Sequence, residues 1–186
     1  MGRQKKTPLE QMSEERQAIF QKIAKGRKNV GDGHMGGPFD SWILNPELGR
    51  RIVGLGNYFR FGLSVDRRQI EIVILVTGAY WKAQFEWYAH APMASEAGVP
   101  EAVIESIRVG ERPGFDHAPD EVAYDLAYEL TRERRVSDAV FTRASEAFGE
   151  QGVAELTNLC GFYAMVSMTL NTFEVDLPDG VPSQFE

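Results

Sequence analysis

The segment QFEWYAHA, residues 84–91, sets a carboxylate and an imidazole, Glu86 and His90, one helical turn apart in a stretch that otherwise reads as buried. Side chains four apart on a helix are neighbours, close enough to hydrogen-bond directly or through one water. Buried ionisable groups are costly unless paired, so this pair is either a satisfied structural element or working chemistry. Burial disfavours an isolated charge, whereas a carboxylate beside an imidazolium favours the charged pair. Either effect moves a histidine across neutral pH, where a general acid or base operates. Read as one straight helix over 70–91, the spacing of roughly 100° per residue puts Glu71 and Lys82 within a quadrant of Glu86 and His90. Ile72, Leu75, Ala79 and Ala83 lie along or beside this seam. The candidate catalytic residues are Glu71, Glu86 and His90. The alternative is a buried ion network that only orients helices.

Other residues are weighed against that seam. Glu86 and His90 also resemble two metal ligands one turn apart, but a divalent site wants a third, and neither His34 nor His117 sits in a ligand-spaced motif. No metal and no cofactor are expected. The run GDGHMGGP, residues 31–38, lacks the GxGxxG spacing, has no strand before it and no GK[ST] after it, so it is not a phosphate cradle. It is either a connector or a lid, with His34, Phe39 and Trp42 facing a pocket. Tyr163, Ser167, Thr169 and Asn171 interrupt an apolar helix, and either join helices by hydrogen bonds or touch a substrate. His34, Phe39, Trp42, Tyr163 and Asn171 are therefore the candidate substrate-binding residues. A substrate carboxylate would call for an arginine, whose fork matches its shape; Arg51, Arg60, Arg67 and Arg68 are the candidates.

The elements that must position these groups read as helix after helix. Leu9, Met12, Ile19, Phe20 and Ile23 space a surface helix over about Pro8 to Lys28. The stretch NVGDGHMGGPFD, with four glycines and a proline, is a loop. Phe39, Trp42, Ile43 and Leu44 make a short apolar turn, and Pro46 opens a helix that ends near Gly62. Ser64 can cap the central helix, which is apolar on every face from Ile70 to Ala91 and hence buried. Pro92 should kink it, or end it just after His90. Further helices are expected from Pro100, over about Asp120–Arg134, over Asp138–Phe148 with Ser137 as cap, and over about Gln151–Glu174. No period-two strand pattern persists, so the fold class is all-α.

Composition bounds the rest. A chain of 186 residues that is 43% hydrophobic can bury a core in one domain, expected over 1–186 with its centre at about 39–174. A net charge of −7 argues against nucleic acid or an anionic membrane as partner. The basic residues Arg3, Lys5, Lys6, Lys22, Lys25, Arg27 and Lys28 alternate with Glu10, Glu14 and Glu15, as on a solvated helix. The polar opening MGRQKKTPLEQ shows no apolar leader, so a cytoplasmic location is expected. The apolar stretch 70–94 carries Glu71, Lys82, Glu86 and His90, each expensive at a bilayer centre, so no membrane span is expected there. Cys160 is the only cysteine, which excludes an intramolecular disulfide and a CxxC pair.

The stretch EIVILVTGAYWKAQFEWYAHAPMASEAGVPEAVIESI, residues 71–107, resembles the carboxymuconolactone decarboxylase superfamily, which includes the alkylhydroperoxidase D-like proteins. In that resemblance Glu71 matches a Glu early in the helix and His90 the His near its end. It extends back through GPFDSWILNPELGRRI and forward to GFYAMVSMTLN. Peroxidase members carry a CxxC whose second Cys lies four residues before the His; here Ala83 and Glu86 stand at those positions, which disfavours thiol peroxidase chemistry. The resemblance implies an all-α bundle of the alkylhydroperoxidase D-like type, assembled as a homotrimer or homohexamer. It also implies a cofactor-independent lyase that acts by acid/base catalysis on a small cyclic or enolisable carboxylic acid. An isomerase or hydrolase of a neutral ketone or lactone, and a non-catalytic oligomeric binding protein, are the alternatives.

Overall fold

The computed structural model describes residues 2–4, 6–25, 27 and 30–186, and the described residues are helical with no strand. A short 3-10 turn, Leu9–Gln11, precedes α1 (Glu14–Ala24), whose first turn is capped by the Ser13 hydroxyl accepting from the Arg16 amide. The expected single helix over Pro8 to Lys28 is thus broken at Met12 and Ser13; Lys5 and Lys28 lie outside the described residues. After the glycine loop come α2 (Phe39–Trp42) and α3 (Pro46–Phe61), with Pro46 in the first turn and Asn45 capping the Leu48 amide. Ile43 is buried as expected, but Leu44 is exposed.

The expected central helix is two helices. α4 (Arg67–Tyr80) stops, the chain reverses over Trp81–Ala83, and α5 (Gln84–Glu96) runs back. The reversal is a Schellman turn. Lys82 donates its amide to the Ala79 carbonyl at 3.1 Å, and Ala83 donates to Gly78 at 2.9 Å. Lys82 adopts the left-handed conformation, with φ 48°. Glycine usually fills that position, and α5 begins without a side-chain cap, so the sequence carries neither punctuation mark. α4 is buried on every face from Gln69 to Gly78, in line with its all-round apolarity. Its cap is Asp66, which accepts from the Arg68 amide. Ser64, the expected cap, instead gives both its amide and its hydroxyl to Glu155, each at 2.8 Å. α5 runs on through Pro92 to Glu96, and a second Schellman turn ends it with Gly98 at φ 88°.

α6 (Glu101–Val109) buries Val103, Ile104 and Ile107. α7 (Ala118–Arg132) and α8 (Asp138–Thr172) complete the chain, with Ser137 capping α8 at the Val140 amide. The two expected helices over 138–148 and 151–174 abut at Gly149, whose φ of 66° and ψ of 171° break the helical path. α4 packs against α5, α6, α7 and α8, which explains why so uniformly apolar a segment is stable in water. Arg68 ties α4 to the buried Asp120 of α7 at 2.5 Å. One buried cluster spans α2 to α8, and a smaller one joins Met12, Ile19, Phe20 and Ile23 of the N-terminal segment to Met35 and Ile43. α8 alone among the described helices is long and apolar enough to cross a membrane, and more than half of its apolar stretch is buried inside the protein.

Candidate active site

On one straight helix, Glu71 and His90 would stand about 28 Å apart, at roughly 1.5 Å rise per residue. The α4–α5 hairpin folds that distance away: His90 Nδ1 lies 2.8 Å from Glu71 Oε2. The other ring nitrogen, Nε2, lies 3.0 Å from Glu86 Oε1, one turn earlier on α5. This second contact is an ion pair lying off the hydrogen-bonding direction, so Glu86 Oε1 has no aligned donor among the described residues. The other oxygen of Glu71 meets the Arg67 guanidinium, a turn earlier on α4. Arg67, Glu71, His90 and Glu86 therefore form a chain of alternating charge, with Glu71 fully buried. Lys82, expected in the same seam, is exposed in the turn, where its Nζ donates to the Glu186 carbonyl at 3.0 Å.

Burial alone would depress the His90 pKa; the charge of Glu86, and then the hydrogen bond to Glu71, outweigh it and raise the pKa from 6.5 to about 9. At neutral pH His90 is an imidazolium. Tyr163 packs edge-on against it, ring centroids 5.1 Å apart at 84°. Burial, and then the charges of Glu86 and Glu71, push the Tyr163 phenol upward, so it stays neutral.

A cavity of about 170 Å³ opens beside this group, lined by Phe39, Trp42, Glu86, His90, Phe162 and Tyr163 together with residues of α3 and α5. Three of the five expected substrate-binding residues, Phe39, Trp42 and Tyr163, are on its wall. His34 is not: it faces a separate, outer cavity, with Nδ1 2.5 Å from the buried Asp40. Nor is Asn171, which is exposed and donates to the Trp81 carbonyl at 2.7 Å, tying the end of α8 to the hairpin turn. Thr169 takes the indole N–H of Trp42 at 3.4 Å and so holds one wall in place.

The arginines divide clearly. Arg51 pairs with Glu47 at 2.7 Å, Arg68 with Asp120, and Arg67 with Glu71. Arg60 lines the cavity, has no ion pair among the described residues, and keeps a buried Nε without a hydrogen-bond partner. A second cation on the wall is Arg27, which in the sequence reads as part of a solvated run. Its guanidinium stacks 3.6 Å from the Phe39 ring centroid, and burial, then the charge of Arg60, lowers its pKa from the ordinary value. The α3 wall itself is legible in the sequence: Val53, Gly56, Asn57 and Arg60 recur at helical spacing and all face the cavity.

No group of three or more His, Cys, Asp or Glu side chains among the described residues is arranged to hold a metal ion. Glu71, His90 and Glu86 meet nitrogen against oxygen instead of converging on a common centre. Cys160 is buried, shares a 3.4 Å contact with the Thr77 hydroxyl, and has its thiol pKa raised by burial. That is the environment of an inert cysteine.

The helical arrangement is one already seen in a solved structure. An uncharacterised peroxidase-related protein from Silicibacter sp. TM1040 superposes with a TM-score of 0.67 at 17% identity, over 86% of this chain and 83% of that one. The likeness shows the fold: an all-α helical arrangement shared with that protein. No protein-family model matches the chain, and no curated protein matches it.

Proposed function

We propose that the chain is a cofactor-independent lyase of the carboxymuconolactone decarboxylase kind, acting on a small cyclic or enolisable carboxylic acid. The observation that supports this best is the His90 imidazolium on the wall of a cavity that also presents an unpaired arginine. Decarboxylation breaks the bond from carbon to carboxylate and leaves its electron pair as a dienolate, which needs nearby positive charge and then a proton. His90 gives that proton from Nε2 and becomes neutral; solvent restores it, with Glu86 steering the imidazole and Glu71, fixed by Arg67, holding Nδ1. Arg60 and Arg27 attract the substrate carboxylate. The repulsion that Glu86 alone would exert is answered by its contact with His90. A thiol route is disfavoured, because the only cysteine is Cys160.

The test is carbon dioxide release from a panel of enolisable acids. His90→Ala and Glu86→Gln each lower kcat at least a hundredfold on any responsive substrate; unchanged turnover in both defeats the assignment. One observation favours a second reading. Glu86 lines the cavity and its Oε1 has no aligned donor among the described residues, as suits a base abstracting a proton from a neutral ketone or lactone, and isomerisation without gas release is its signature. The reading also takes the protein to be cytoplasmic and homo-oligomeric. In support of assembly, Leu48, Leu55, Tyr58 and Phe61 are exposed along one side of α3, Phe61 most of all.

A further inference from the structure

The cavity at His90 has a neighbour. A second, outer cavity of about 780 Å³ lies between the glycine loop, the N-terminal segment and the chain after α8. Arg27 and Phe85 line both cavities, so the partition is a single layer of side chains. The loop presses against it: a Cβ at Gly37 would come within 3.0 Å of the Phe85 ring. The two chambers differ in chemistry. The inner one is walled mainly by aromatic and aliphatic groups; the outer one mixes Lys6 and Arg27 with Asp40, Asp176 and Asp179, giving hydrogen-bonding capacity with no excess of positive charge.

The outer chamber also contains an oriented imidazole. Asp40, itself buried, accepts from the Met35 amide at 2.9 Å and the Gly36 amide at 3.1 Å, and sits 2.5 Å from His34 Nδ1. A carboxylate so committed fixes the loop and the ring together, with His34 on the chamber wall.

We propose that the two cavities are halves of one substrate site, and that its ligand is a carboxylate carrying a compact apolar ring on one side and an uncharged hydrogen-bonding arm on the other. The ring lies against Trp42 and Phe162, the carboxylate at the junction between Arg27 and Arg60, and the arm in the outer chamber within reach of His34. The inner cavity's volume of about 170 Å³ sets the limit on what fits there. Such a space admits on the order of ten non-hydrogen atoms, one ring and little more, so a larger substrate extends beyond it, and the neighbouring chamber across Arg27 and Phe85 is where we place the remainder. This rests on the reading of the His90 cavity as an anion site.

The chain has three histidines, and each reports a different place: His90 the inner cavity, His34 the outer one, His117 neither. Imidazole resonances of the whole protein are followed by NMR during titration with 3-phenylpropionate, then with N-acetylphenylalanine, which adds an uncharged acetamide arm to the same skeleton. The expected result is that the first moves His90 alone, the second moves His90 and His34 together with at least tenfold lower Kd, and His117 stays still. Asp179→Asn, at a residue that lines the outer chamber and not the inner one, lowers the tenfold advantage and leaves 3-phenylpropionate binding unchanged. Equal affinities with His34 unmoved overturn the two-chamber site while the anion site stands; movement of His34 without His90 also overturns it. Movement of neither by either probe overturns both readings.

Discussion

His90 sits between two carboxylates, and its charge is what makes their burial tolerable. Removing one partner of a buried ion pair leaves an uncompensated charge and costs about 3–5 kcal/mol. His90→Asn is expected to destabilise the fold by that order, read as a lower midpoint in chemical denaturation. The pH dependence has a definite sign. The folded-state pKa is raised above the ordinary 6.5, to about 9, so the contribution of His90 is complete below about 6.5 and disappears as pH rises through about 9. The gap in melting temperature between wild type and His90→Asn therefore closes from about pH 6 to about pH 10. The charge of Glu86 is the largest influence raising that pKa. Glu86→Gln is expected to bring it down toward the ordinary value, measured by NMR titration, and the alkaline limb of any activity profile should move with it. The residue types of this group are legible in the sequence, because a buried Glu and His at i and i+4 are conspicuous in an apolar run. The Arg67–Glu71 contact has the i, i+4 spacing of a single helix and is open to the same reading; the place of Arg27 on the cavity wall is not, because it is set by which helices fold over that segment, and spacing along one helix says nothing of that.

At the scale of elements, two backbone breaks, the α4–α5 reversal and the interruption within α8, decide the geometry, and each hinges on one residue at positive φ. Lys82 occupies that region with a side chain, at φ 48°. Lys82→Gly removes a steric cost of roughly 1 kcal/mol, and a gain of about 0.5–1 kcal/mol in unfolding free energy is expected despite loss of the contact to the Glu186 carbonyl. Gly149 presents the opposite case. Its φ of 66° with ψ of 171° is a combination open almost only to glycine. Gly149→Ala should therefore cost about 1–3 kcal/mol in thermal or chemical unfolding, although no atom would crowd the added methyl. The same residues explain what the sequence conceals. Helix existence is legible for α3, α6, α7 and both parts of α8, each announced by proline, a capping residue or amphipathic spacing. The α4–α5 break is hidden because a lysine does there what glycine ordinarily does, and because both arms of the hairpin are apolar.

For the whole molecule, the placement of α3 matters most. Val53, Gly56, Asn57 and Arg60 line the cavity from this helix, while Leu48, Leu55, Tyr58 and Phe61 lie bare along another side of it. If copies of the chain assemble there, Phe61→Glu should shift the species seen by light scattering toward the monomer, with far-UV circular dichroism unchanged. The expected all-α architecture is the one found, and its likeness to the Silicibacter protein survives at 17% identity. What persists at such divergence is the pattern of buried faces, which many sequences satisfy; the pocket's chemistry is set by a few side chains and is free to change beneath it.

The hairpin has a kinetic corollary. Glu71 and His90 are joined by a short, tightly turned loop, so bringing them together costs little chain entropy, whereas the cavity walls draw on residues as distant as Arg27 and Tyr163. Short-range contacts tend to form before long-range ones. In a refolding chain, protection of the hairpin amides should therefore precede the quenching or enhancement of Trp42 fluorescence, the acid centre being assembled first and enclosed afterwards.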